Sequence, residues 1–197
     1  MRWIACALLA AASASALGQD VSGAYLGATV GNLTYTEQSD GLVNQSNFDG
    51  SSSTYRLYGG YRLGKRLALE VGYSRSDGIA DTVDMDVNGV IPVDVTSDFS
   101  LTTARALVHF PIGAERLPFV SLSFFGGLGV YSASSDWSGS VDGTELLAFS
   151  GTDDGSTALL GLQVDFPKVS LRGEYEWFDT ESNVDLWTAG VGVIFRF

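Results

Sequence analysis

Val169-Ser-Leu-Arg-Gly-Glu-Tyr-Glu-Trp-Phe178 sets Val169, Leu171, Tyr175 and Trp177 against Ser170, Arg172, Glu174 and Glu176. A period of two belongs to a β-strand, whose successive side chains point to opposite faces. Alternation this strict admits only a two-faced strand, greasy on one side and charged on the other.

The same period recurs in seven other segments. Ala24 to Tyr35 sets Leu26, Ala28 and Val30 against Gly27, Thr29 and Gly31, and Thr54 to Leu63 sets Tyr55, Leu57, Tyr61 and Leu63 against Arg56, Tyr58 and Arg62. Leu67 to Arg75 alternates Leu67, Leu69, Val71 and Tyr73 with Ala68, Glu70, Gly72 and Ser74. Phe99 to Phe110 places Thr103, Arg105, Leu107 and His109 on its inner face, and Phe119 to Ser132 does so with Ser121, Ser123, Gly127, Gly129 and Tyr131. Ser156 to Phe166 turns Gly161, Gln163 and Asp165 inward, and Val184 to Phe197 turns Thr188, Gly190, Gly192 and Arg196 inward. Each segment is near the roughly 9–11 residues with which a tilted strand crosses hydrocarbon. After the first residues, no window is long and apolar enough for a spanning helix.

The connections alternate in length. Those near 64–66, 111–118 and 167–168 are short, whereas 36–53, 76–98, 133–155 and 179–183 are mostly long and polar. Short turns at one end and long loops at the other mark a transmembrane barrel; a soluble sandwich has no reason to sort its loops this way. An unpaired backbone amide costs several kcal/mol in hydrocarbon, so the sheet must close on itself, first strand against last. The expected fold is therefore all-β, a closed antiparallel eight-stranded up-and-down transmembrane barrel over residues 19–197. Such a barrel is just wide enough for side chains to fill it, which argues against a wide aqueous channel.

Residues 1–18 read as a secretory signal peptide: a positive start at Arg2, an apolar run from Ile4 to Ala12, and Ala14-Ser-Ala16 as the cleavage pattern. Cleavage is expected after Ala16 or Gly18. The alternative, a membrane anchor, meets a run much shorter than the roughly 20 residues required. Cys6 is the only cysteine and leaves with the signal, so disulfides, thiol nucleophiles and thiolate metal sites are excluded from the mature chain. Loss of Arg2 takes the formal charge from −12 to −13, which excludes nucleic acid as a partner.

Tyr58-Gly-Gly-Tyr-Arg-Leu-Gly-Lys-Arg-Leu-Ala-Leu-Glu-Val-Gly-Tyr73 resembles the second hairpin of the small outer-membrane barrels that include the OmpA-type transmembrane domain and the opacity proteins. Gly190-Val-Gly-Val-Ile-Phe-Arg-Phe197 resembles their last strand. The resemblance implies residence in the bacterial outer membrane, among lipid and lipopolysaccharide. It also implies delivery by periplasmic chaperones to a barrel-assembly machinery that reads Phe197, Phe195 and Val193. By strand position Glu70 and Arg172 match the main ion pair of the OmpA-type lumen and Arg105 its second cation. The second acid is open between Gln163, which is no acid, and Asp165, nearer the turn. Unlike the larger members, the chain is expected to carry no peptidoglycan-binding domain after its barrel.

Arg56, Arg62, Glu70, Arg105, Arg172, Glu174, Glu176 and Arg196 form the expected inward charge network, read as a salt-bridged plug with a narrow ion path as the alternative. The long connections and their flanks hold 17 of the 23 acids, Glu37 to Asp185, and no Lys or Arg lies within them. That surface either holds divalent cations against lipopolysaccharide or is simply solvated. Asp84-Met-Asp86-Val-Asn88-Gly matches the opening of a calcium loop, but Val95 stands where the bidentate Glu belongs, so no metal and no cofactor is expected. His109 lacks a serine and acid beside it in the pattern, Glu174 and Glu176 lack a cleft, and Gly126 to Gly129 lie in a strand rather than before a helix. Enzymatic activity is therefore not expected. Tyr35, Tyr55, Tyr61, Tyr73, Tyr175, Trp177 and Trp187 are assigned to interfacial girdles. The functional expectation is a monomeric structural or surface-interaction barrel with acidic loops facing a host or surface partner; the alternative is a small-solute or ion pore.

Overall fold

The computed structural model describes residues 22–37, 49–86, 90–112, 120–180 and 184–197. The expected signal peptide and the loop 38–48 lie outside the described residues. The strands are β1 (Gly23–Glu37), β2 (Asp49–Leu63), β3 (Leu67–Ser76), β4 (Ile79–Asp86), β5 (Val90–Ile112), β6 (Ser121–Val141), β7 (Thr144–Asp165), β8 (Val169–Asp179) and β9 (Val184–Arg196).

All pairings are antiparallel, and they close. β1 pairs with β2, with Thr29 opposite Arg56, and on its other edge with β9, with Ala28 opposite Val193. β3 pairs with β2 and β5, so the ring runs β1-β2-β3-β5-β6-β7-β8-β9 and returns to β1. These eight strands are the expected barrel. Their outward residues are apolar and exposed, Leu57 at 62% and Leu128 at 71%, while their inward neighbours are buried.

β4 stands outside the ring and pairs with the first part of β5. It continues the line of β3 after one extra residue: Arg75 lies opposite Ser100, but Ile79 lies opposite Ser97. That is a bulge, and Ser76 Oγ ties it by accepting from the Phe99 amide at 3.1 Å. The extra residue reverses the face of the strand, so that Ser74 and Ser76 point inward before it and Ile79 after it.

The spans 76–98 and 133–155, read from the sequence as loops, are instead mostly strand. β4 with the start of β5, and the far halves of β6 and β7, carry the sheet beyond the barrel wall. Asp142 and Gly143, with φ of 50° and 76°, make the tight turn joining β6 to β7, the left-handed pair that a two-residue hairpin requires. Polar residues on both faces of Ser134-Ser-Asp-Trp-Ser-Gly-Ser140 hide the strand from a hydrophobicity pattern, yet ladder pairing needs only backbone.

The interior also departs from the charged lumen expected. Its loop-side half is a packed apolar layer of Leu33, Tyr35, Ile79, Phe99, Leu101, Tyr131, Phe178 and Leu186. Tyr35 belongs here and not to a girdle, because counting by two from the inward Thr29 reaches Leu33 and Tyr35. Tyr55, Tyr73 and Trp177 do face outward, and Tyr175 stacks on Trp187 with centroids 5.0 Å apart.

Unboiled, detergent-folded protein is expected to migrate apart from the boiled protein on a gel, because a closed barrel keeps its compact shape in detergent until heated. Identical mobility of the two samples would contradict closure.

Candidate functional site

The charged layer lies across the middle of the barrel. β8 faces β3 directly across the ring, three strands away in either direction beyond β9 or β7. Its inward side chains Arg172, Glu174 and Glu176 follow one another at alternate positions, and β2, β3 and β5 bring Arg56, Glu70 and Arg105 to meet them. Three cations thus face three anions, all of them buried.

Glu70 bridges two arginines: Arg172 Nη1 donates to Oε1 at 2.5 Å and Arg105 Nη2 to Oε2 at 2.9 Å. Tyr25 donates its hydroxyl to the same Oε1 at 2.7 Å. Arg105 Nη1 also reaches Glu176 Oε2 at 3.1 Å. Arg56 donates to Glu174 at 3.0 Å, to Glu176 at 2.5 Å and to Ser74 at 3.1 Å. Thr157 donates to Glu176 Oε1 at 2.9 Å. Arg172 Nε lies 3.1 Å from Glu174 Oε2, close enough for ion pairing but poorly aligned for a hydrogen bond.

The acid that hydrogen-bonds Arg105 alongside Glu70 is thus Glu176 of β8, with Glu174 Oε2 4.0 Å from the same guanidinium. Neither Gln163 nor Asp165 takes that place; both sit nearer the turn end. There Gln163 Nε2 donates to Asp165 Oδ1 at 2.6 Å, and Arg196 Nη2 donates to the same oxygen at 3.1 Å. Arg62 stands between Asp165, at 3.8 Å, and His109 Nδ1, at 3.2 Å. A cleft of about 200 Å³ opens beside Arg62, His109, Gln163 and Arg196. His109 stacks on Phe125 at 5.5 Å, so its ring is held by an aromatic and a guanidinium, not by a serine and an acid.

Phe125 is the interior residue least legible beforehand. It is fully buried, and the Arg172 guanidinium lies 4.2 Å over its ring and 5.3 Å from that of Tyr58. The signal was parity, since Phe125 follows the inward Ser123 by two. Gly129 makes room for this layer: a Cβ there would meet the Arg105 side chain and the Ala104 carbonyl. Gly126 meets nothing closer than ordinary contact, so close packing accounts for Gly127 and Gly129 but not for it.

Of the remaining candidates, Phe195 and Phe197 are exposed on the outer surface, and Val193 pairs with Ala28 at the seam between last and first strands. The Asp84 and Asp86 side chains and the whole of Asn88 lie outside the described residues, and no cluster of potential metal ligands occurs among the described ones.

The model of the outer membrane protein beta-barrel domain matches residues 4–197. The chain belongs to this family. Its place is accordingly the outer membrane of a Gram-negative bacterium. Three solved structures are similar in fold. Ail, the attachment invasion locus protein of Yersinia pestis, is 15% identical over 89% of this chain and 99% of its own, with a TM-score of 0.53. OprG from Pseudomonas aeruginosa is 15% identical over 89% and 96%, with a TM-score of 0.55. Neisserial surface protein A is 20% identical over 91% and 100%, with a TM-score of 0.52. At these identities the likeness concerns the fold alone. No curated protein sequence matches the chain.

Removing one member of a buried charge network strands its partners, at a cost of about 3–5 kcal/mol. Glu70→Gln, which leaves Arg105 and Arg172 short of a carboxylate, is expected to lose about that much in urea unfolding of the detergent-folded barrel. Lys65→Gln, on the exposed turn, should stay within about 0.5 kcal/mol of the parent. Equal stability of the two variants would deny the network its structural weight.

Proposed function

We propose that this protein is a closed barrel whose lumen serves as a structural core and whose work lies on its loop-side surface. The observation that carries the reading is a double fill of the lumen. The balanced network of Glu70, Arg56, Arg105, Arg172, Glu174 and Glu176 occupies the middle, and the apolar layer around Leu33, Phe99, Leu101 and Phe178 lies above it. Arg62 and Arg196, with Asp165, complete the charged filling toward the turn end. Charges that neutralise one another in place offer no vacant site to a passing ion, and an apolar layer opposes water besides.

The alternative, a small-solute or ion pore, draws on the cleft at the turn end and the charged middle. It requires the apolar layer to part. On this reading the buried charges are structural, and the protein is assigned no enzymatic role. Phe197, Phe195 and Val193, on the strand that meets β1 at the seam, are the proposed signal for the assembly machinery.

The character of the outer surface follows from charge. The segments 36–53, 76–98, 133–155 and 179–183 contain no Lys or Arg. Ail has been crystallised with sucrose octasulfate, a heparin analogue. A surface of this sign repels such a polyanion, so partners here are sought among neutral or cationic molecules, with divalent cations mediating any contact to lipopolysaccharide phosphates.

Planar-bilayer recordings test the reading. The folded protein is expected to give no channel steps, and neither is Glu70→Ala, because the apolar layer remains when the charged one is broken. Sustained steps from the unmodified protein, verified as folded by its gel mobility, would overturn the closed lumen and favour the pore.

A further inference from the structure

Beyond the barrel wall, β4, the start of β5 and the far halves of β6 and β7 form a four-stranded sheet. Its last strand is open. β8 ceases to pair with β7 beyond Asp179 opposite Ser156, so from Thr144 to Gly155 the outer edge of β7 pairs with no strand among the described residues.

A bare edge presents a row of amides and carbonyls ready to receive another strand, and proteins ordinarily blunt such edges with lysine, proline or extreme shortness. Thr144-Glu-Leu-Leu-Ala-Phe-Ser-Gly-Thr-Asp-Asp-Gly155 contains neither lysine nor proline. It also exposes Leu146 at 60%, Leu147 at 51% and Phe149 at 62% of their surfaces. Clustered apolar exposure of this kind marks an interaction site. Phe149 is held ready: its ring stacks on Trp137, centroids 5.9 Å apart and planes nearly parallel at 7°. Trp137 in turn meets Tyr35 and Phe99 of the buried layer edge-on, each at 5.7 Å.

Charge selects the occupant. Asp136, Asp142, Glu145 and Asp154 are exposed around the edge, and 133–155 holds no cation. A second copy of the chain brings the same acidic surface. Two copies in one membrane also run β7 in the same direction, whereas symmetric edge pairing is antiparallel. Strand addition supplies affinity through the backbone and selectivity through alternate side chains.

We propose that the free edge of β7, Thr144–Gly155, receives an extended cationic polypeptide segment as an added strand, its apolar side chains on Leu147 and Phe149 and its lysines or arginines among the surrounding acids. The assignment rests on the surface-interaction reading and names its partner class.

The probe is acetyl-Lys-Val-Lys-Val-Lys-Val-Lys-amide carrying a fluorophore, titrated into the full barrel in phosphatidylcholine nanodiscs, with empty nanodiscs as the blank. Binding by anisotropy is expected, together with slowed amide exchange in 144–155. The peptide N-methylated at its valines keeps charge and shape but loses one edge of donors; it should bind at least tenfold more weakly, as should the glutamate counterpart of the probe. Leu147→Lys with Phe149→Lys should also weaken the parent peptide at least tenfold while gel mobility stays unchanged. Equal binding of the N-methylated peptide, equal binding by the double variant, or no binding at all would each overturn the assignment. A silent bilayer alongside a negative titration sinks only this edge site, whereas channel steps strike the reading beneath it.

Discussion

The structure depends on one requirement: in hydrocarbon no backbone amide or carbonyl goes unpaired. β1 satisfies it by bonding β2 on one edge and β9 on the other, which makes the sheet a ring and leaves no edge toward lipid. Closure then reverses the usual placement of residues. The apolar face of each strand turns outward, as at Leu57 and Leu128, and the other face is enclosed.

Enclosure makes the interior a packing problem. Eight strands leave room for side chains and little else. The barrel fills that space in two ways. In the middle, β8 reaches across to β2, β3 and β5 with charges that match one for one; toward the loops, Leu33, Ile79, Phe99, Leu101 and Phe178 pack as the core of a soluble protein would. The bulge after Ser76 links the two regimes, since it changes the inward residue from serine to isoleucine just where the filling changes from polar to apolar.

Where the strands leave the membrane, the requirement relaxes, and β7 runs on with one edge unpaired among the described residues. Water can satisfy that edge and hydrocarbon cannot. The same segment that would be forbidden lower down is therefore available above as a surface for contact, and the acids around it set the sign of what approaches.

The sequence by itself determined the strand count of the ring and the two-faced alternation of its strands, because a period of two is written locally: Arg172, Glu174 and Glu176 declare their shared face without reference to any other strand. It did not determine who meets whom. That Glu176 and not Gln163 or Asp165 shares Arg105 with Glu70 depends on stagger between strands far apart in sequence, and Phe125 joins Arg172 only once β6 and β8 line a common lumen. The hairpin extensions were hidden for a related reason. Ladder pairing along Ser134–Ser140 is a property of the neighbouring backbone, and a segment polar on both faces carries no record of it.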